Sequence, residues 1–152
     1  MAKITPQNIN KFLFFKLPSA YFSGVRVQSM NNKEAVVTVK HRWINQNPFK
    51  SLYWATQGMA SELATGIFVM AEIDNSGKKI SMLVRHQEGT FTKKATGRIR
   101  FVCKDLLLVK EAIQKTIASG KGETIVMTAE GFDEQGDSVS KFKYTWGLKI
   151  KS

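Results

Sequence analysis

The stretch NQNPFKSLYWATQGMASELATGIFVMAE runs from Asn45 to Glu72, and its reading decides how the remainder of the chain is arranged. Between Lys50 and Glu72 its only charged side chain is Glu62. At 100° per residue, Ser51, Ala55, Gly58, Glu62 and Gly66 fall on one helical stripe, with Met59 and Val69 at its edges. Small neighbours leave room beside that carboxylate. Pro48 stands where a helix can begin but not continue, and Ser51 follows as the candidate N-cap. The opposite face holds Tyr53, Ala60, Ala64 and Ile67, so the helix is apolar nearly all round and is read as buried. It does not span a membrane, because Ser51, Tyr53, Thr56, Gln57, Ser61, Glu62 and Thr65 interrupt the roughly 20 apolar residues a span requires. Burying a lone carboxylate costs several kcal/mol unless it is paired, hydrogen-bonded or protonated. Glu62 is therefore the first functional candidate.

Upstream of this helix, residues 8–17 offer Ile9, Phe12, Leu13 and Phe15 as the apolar face of a short helix that Pro18 ends. Residues 24–30 alternate, with Val25 and Val27 against Arg26 and Gln28, and residues 34–40 place Ala35, Val37 and Val39 inward. With Asn31-Asn32 between them, the two segments read as a β-hairpin. Downstream, the turn cluster Asp74 to Gly77 introduces a strand that starts with Ile80, Met82 and Val84 and runs to about Phe91. Ile99, Phe101 and Cys103 share a face of the next strand, with Arg98 and Arg100 on the other. Asp105 is read as the N-cap of an amphipathic peripheral helix carrying Leu106, Val109, Ile113 and Ile117, which Gly120 closes. Residues 124–132 and 138–151 flank the turn DEQGD as a last hairpin. Its second strand sets Phe142, Tyr144, Trp146, Leu148 and Ile150 against Lys141, Lys143, Lys149 and Lys151. The pattern predicts an α+β domain over residues 1–152: about six antiparallel strands wrapped around one long helix, plus an N-terminal and a peripheral helix.

A length of 152 residues with 43% hydrophobic and 11% aromatic content is enough for a substantial core and argues against disorder. The net charge of +11 raises the local concentration of anionic partners. Lys and Arg are spread along the chain without a long basic tail, so charge alone motivates nucleic-acid binding, and no aromatic-basic RNA motif supports it. The single cysteine, Cys103, rules out an internal disulfide and fits a reducing compartment. FLFF at Phe12 to Phe15 is too short for a signal peptide or anchor. We expect a cytoplasmic protein with neither membrane nor nucleic acid as partner. His41 and His86 are isolated, no Cys-x-x-Cys or His/carboxylate cluster predicts a metal, and Gly120-Lys121-Gly122 is a lone turn rather than a phosphate loop.

From Asn47 to Glu62 the residues resemble a known family. The spacing is similar to that of phenylacetate-pathway acyl-CoA thioesterases (PaaI-like) of hotdog fold, which carry an Asn, a glycine-containing loop, a His-Gly-Gly helix start and an acid fifteen positions after the Asn. Asn47, Lys50-Ser51 and Ala60-Ser61-Glu62-Leu63-Ala64 more closely resemble the thioesterase-like DUF4442 group, as does KKATGRIRFVC from Lys93 to Cys103. Two departures stand out: Tyr53-Trp54-Ala55 replaces His-Gly-Gly, and Lys50 replaces the loop glycine.

The resemblance implies hydrolysis of an acyl-CoA or acyl-carrier thioester to the free acid, with coenzyme A as part of the substrate and no further cofactor. In that scheme the backbone N–H of Trp54 holds the developing oxyanion, a contribution on the order of 3 kcal/mol. Glu62 acts as nucleophile or as general base on a water, with desolvation raising its pKa. Asn47 orients the water, Ser51 and Gln57 assist, and Tyr53 shapes the acyl site. Lys93, Lys94 and Arg98 are the candidates for coenzyme A phosphates. The family pairs its domains through edge strands, so a homodimer or dimer of dimers is expected. Each residue also has an ordinary structural reading: Asn47 as a turn residue, Ser51 and Gln57 as cap or helix surface, Tyr53 and Trp54 as core or interface, Glu62 bonded to backbone or to a basic residue, the lysines as a solvated strand end. The alternative function is a non-catalytic hotdog module that binds acyl-CoA or fatty acid.

Overall fold

The computed structural model describes residues 4–152. Helix α1 (Pro6–Lys16) opens with Thr5, whose hydroxyl accepts from the Asn8 amide, and Pro18 both ends it and begins the short helix α2 (Pro18–Phe22). Only Ile9 and Leu13 of its expected apolar face are buried; Phe12 and Phe15 face solvent. The strands are β1 (Arg26–Met30), β2 (Ala35–Lys40), β3 (Ile80–Phe91), β4 (Arg98–Cys103), β5 (Glu123–Phe132) and β6 (Ser138–Ile150). They form one sheet in the order β1-β2-β4-β5-β6-β3, every pair antiparallel.

The long helix α3 (Trp54–Ser76) packs against β2, β4, β5 and β6, and α4 (Leu106–Ser119) lies beside it against β5 and β6. This is the hotdog arrangement. The inward residues of the strands, among them Val37, Val39, Ile99, Phe101, Met127 and Phe142, meet Ala60, Leu63, Ala64, Ile67 and Phe68 of α3 in one core. Ring and backbone come unusually close in two places. A Cβ on Gly131 would lie 2.6 Å from the Phe101 ring and one on Gly89 2.8 Å from the Phe142 ring, so these glycines let aromatic side chains lie flat on the sheet.

Two details depart from simple pattern reading. Strict alternation from Ile80 would send Phe91 outward, but β3 carries a bulge between Val84 and His86. Arg85 is the extra residue, and Gln87, Gly89 and Phe91 face inward, opposite Tyr144, Phe142 and Ser140. Asp105 precedes α4 as expected but does not cap it; its carboxylate accepts from the Thr128 amide of β5. Gly77 and Gly120 close α3 and α4 in the left-handed conformation, φ 67° and 65°. Among the described residues no helix is long and apolar enough to cross a membrane.

Candidate active site

The loop before α3 is built on Asn47. Its carboxamide oxygen accepts from the Phe49 and Ser51 amides at 2.9 and 3.2 Å, and its nitrogen reaches the Ser51 hydroxyl at 3.0 Å. Ser51 is thus a partner of Asn47 and not the helix cap; the chain turns once more, and Tyr53 occupies the N-cap position without a side-chain bond. Lys50 holds φ 59°, the one non-glycine in the left-handed region among the described residues. That backbone requirement explains why the resembling families place glycine there. Behind the loop, buried Asn45 donates to the Ser23 and Lys40 carbonyls and accepts from the Arg42 amide, tying the loop's base to the first hairpin.

Because no side chain caps α3, the amides of Trp54 and Ala55 have no partner among the described residues. Trp54 lines a groove of about 500 Å³ together with Asn47, Pro48, Phe49, Ser51, Leu52, Tyr53, Gln57 and residues 91–95. Seven of the residues singled out from sequence meet here: Asn47, Ser51, Tyr53, Trp54, Gln57, Lys93 and Lys94. Tyr53 and Trp54 are both substantially exposed on its wall, contrary to the buried position read for Tyr53. Gln57 is buried and clamped, accepting from Ser140 at 2.7 Å. Lys93 is already held by Asp133 at 2.6 Å and Asp137 at 2.8 Å. These contacts raise the pKa of its ammonium and lower that of the Asp133 carboxyl. Lys94 is exposed and makes no ion pair among the described residues. Arg98 lies outside the groove, at the exposed start of β4. A second groove of about 520 Å³ on the sheet, lined by Glu34, Arg100, Lys104, Asp105, Glu130 and Lys141 among others, mixes both charges; it reaches the start of α4 at Asp105, whose carboxylate is engaged by the Thr128 amide.

Glu62 lies two turns further along α3, outside the groove walls of its own chain. Its carboxylate makes no ion pair or hydrogen bond among the described residues, and burial raises its pKa. The glycines flanking it differ in kind. A Cβ on Gly66 would press on Trp146 at 3.2 Å, whereas one on Gly58 would meet only the ends of Gln87 and Tyr144, at 3.8 and 4.0 Å. The helix surface next to Glu62 is therefore less tightly packed on its Gly58 side than on its Gly66 side.

Beneath it runs a row of polar contacts from α3 to β6 that pattern reading did not reveal. The Ser61 and Tyr144 hydroxyls lie 2.7 Å apart and both reach the Gly58 carbonyl, and the Trp146 indole N–H donates to Thr65 at 2.9 Å. Burial holds the Tyr144 phenol above its ordinary range against its Ser61 bond, and the nearby Glu62 carboxylate pushes it further up. The only earlier signal was that Tyr144 and Trp146 sat on the inward face of β6 with polar tips needing partners. Among the described residues no group of His, Cys, Asp and Glu could hold a metal ion.

A family model described as Domain of unknown function (DUF4442) matches residues 7–148. The chain belongs to the DUF4442 family. Among solved structures this DUF4442 chain is similar to a Pseudomonas aeruginosa protein described as of unknown function and a probable thioesterase. That pair shares 18% identity over 98% of this chain and 99% of the other, with a TM-score of 0.81. A Chlorobaculum tepidum protein of unknown function is similar at 17% identity, 99% and 100% coverage and a TM-score of 0.83. A Pseudomonas aeruginosa thioesterase, solved as a mutant, is similar at 13% identity, 99% and 97% coverage and a TM-score of 0.73. These likenesses bear on the fold. No curated protein matches the DUF4442 chain.

Proposed function

We propose that this protein is an acyl-CoA thioesterase acting as a homodimer in the cytoplasm, with a two-chain active site. The observation that carries the reading is Glu62: a largely buried carboxylate with no partner among the described residues, on a helix whose first amides are likewise without partners among them. Within one chain Trp54 and Glu62 are eight residues apart, about 12 Å along the helix axis. A single thioester carbonyl cannot touch both. They meet only if a second α3 runs alongside, and the free edge of β3 supplies the means. That strand is twelve residues long, ends the sheet, and exposes Leu83 together with the inward-facing Gln87 and Phe91.

In the base-catalysed form, Glu62 takes a proton from water as the water oxygen bonds to the carbonyl carbon. The N–H groups at the start of α3 hold the oxyanion. Collapse then breaks the carbon–sulfur bond, and the proton on Glu62 passes to the leaving thiolate. In the nucleophilic form, the Glu62 oxygen itself bonds to the carbonyl carbon, the carbon–sulfur bond breaks to release the thiolate, and water then opens the mixed anhydride to the free acid and the Glu62 carboxylate. The two hydrogen-bonding ends of the Asn47 carboxamide are engaged by its own loop, so Asn47 shapes the helix start rather than orienting water. With Lys93 neutralised, Lys94 is the groove cation left to meet a coenzyme A phosphate.

One observation favours the alternative of a non-catalytic acyl-binding module. Tyr53 and Trp54 form the groove wall at the helix start, a surface suited to gripping an apolar chain. The deciding experiment is thiol release from short, long and aromatic acyl-CoAs by wild type and Glu62→Gln. Turnover of at least one substrate, lost in the variant, supports the enzyme. Saturable binding of acyl-CoA without turnover supports the module, and equal rates in both proteins remove Glu62 from the mechanism.

A further inference from the structure

Charge is unevenly distributed along this chain. Residues 1–61 carry eight Lys and Arg against one acid, Glu34, while residues 62–152 carry fifteen against eleven. The same basic part holds most of the large apolar side chains left in solvent. On α1 and α2, Phe14, Phe15, Tyr21 and Phe22 touch ring to ring, with centroids 4.9 to 6.1 Å apart. Phe15 remains 75% exposed and Phe22 58%. Beside them sits the 3-10 turn Trp43–Asn45, tied to the end of α2 by the bond from Asn45 to the Ser23 carbonyl. It adds Trp43, 84% exposed, and Ile44. Lys11 and Arg26 line a shallow groove with Phe14, Phe15 and Tyr21, and no acidic residue borders it.

Among the described residues nothing covers this aromatic patch, which Lys11 and Arg26 border. Pairing through β3 does not cover it either, because α1 packs on β1 and β1 lies at the opposite edge of the sheet. We propose that this α1–α2 surface docks the folded protein onto an anionic phospholipid bilayer. Phe15, Phe22 and Trp43 enter the headgroup region, and Lys11 and Lys16 face the lipid phosphates, while Arg26 lies over the Tyr21 ring and donates to the Tyr21 and Val25 carbonyls, holding the rings in place. Aromatic rings favour that depth, and each lysine near an anionic surface is worth roughly fivefold in affinity. Single-stranded nucleic acid would also accept rings and cations. Leu17 and Ile44, however, add exposed aliphatic surface that stacking does not use and a bilayer does. The expectation of no membrane partner came from the lack of a spanning stretch, and docking on the surface requires none.

The test is co-sedimentation of the full chain with phosphatidylcholine vesicles, with and without phosphatidylglycerol, at low and high salt. Partition onto anionic vesicles is expected to exceed that onto neutral ones by about tenfold and to fall with salt. Phe15→Ser with Phe22→Ser, and separately Lys11→Glu with Lys16→Glu, should each lower it by about tenfold or more while thermal unfolding is unchanged. Equal or absent partition overturns the proposal, and this wild-type result decides even if a variant fails to fold. So does vesicle binding that both double variants retain. A change of oligomeric mass in the variants without vesicle binding assigns the patch to contact between copies. Loss of oligonucleotide binding without vesicle binding assigns it to nucleic acid; either result also overturns the proposal.

Discussion

Glu62 has two effects that can be measured separately. As the proposed base it must be ionised, so kcat/KM should fall as pH drops through a pKa above the ordinary glutamate range, and Glu62→Gln should lose about 10²- to 10⁴-fold in rate. The sign for stability is the opposite of a salt-bridged carboxylate. The folded carboxyl binds its proton more tightly than the unfolded one, so its contribution is fully present below the unfolded pKa. That contribution is lost as pH rises through the folded pKa. Glu62→Gln should therefore gain more in Tm over wild type at about pH 8 than at about pH 4, measured by thermal unfolding. At Trp54 proline is a sharp tool. Tyr53 already has φ −63° and ψ 139°, compatible with a following proline at the first helical position. Trp54→Pro deletes the N–H that Trp54→Ala keeps, and should cost about 10²- to 10³-fold in kcat beyond the alanine variant. Lys50→Gly should stabilise the fold by about 1 kcal/mol by relieving the left-handed backbone, read from denaturant unfolding. Glu62 was legible in sequence because one charge in an apolar helix is a local fact. Asn47 as a turn residue was also legible, as its ordinary reading before Pro48; the partners of Ser51 and Lys93 were not, because they are set by loop geometry or by a turn forty residues away.

Between elements, α3 is held to β6 by side chains as well as by apolar area. Thr65→Val keeps the shape of the side chain but strips the Trp146 indole of its acceptor, and should destabilise the protein by about 1–3 kcal/mol in denaturant unfolding. This polar row was invisible to period counting, which ranks Ser, Thr and Gln as breaks in an apolar helix. The strands were legible for the converse reason: one face of each is covered by α3 or its neighbours, so alternation was enforced. It misplaces the far half of β3 only because the residue added at Arg85 exchanges the two faces. The start of α3 was read early, at Ser51, since capping chemistry is shared by helix starts and Asx turns.

At the scale of the molecule, a two-chain site makes a prediction that no single-chain site shares. If Trp54 of one copy serves Glu62 of the other, mixing inactive Trp54→Pro with inactive Glu62→Gln under subunit exchange yields pairs with one intact site. Activity should recover to about a quarter of wild type, followed by thiol release. A site contained in one chain would recover nothing. The overall architecture was the most readable level, since six alternating segments around one apolar helix admit few packings. The uneven spread of charge was legible too, but the exposed rings were not: Phe12 and Phe15 sit at helical spacing with Ile9 and look like core until the surrounding surface is known.

The bulge at Arg85 bears on how the molecule avoids unwanted company. An open strand edge is ordinarily an invitation to any extended peptide, but this one is kinked partway along. A straight intruder could follow the rail only to the kink. In the proposed homodimer, a twin approaching about a twofold axis would carry the same irregularity in reversed order and could match it, so the defect would filter strangers while admitting self.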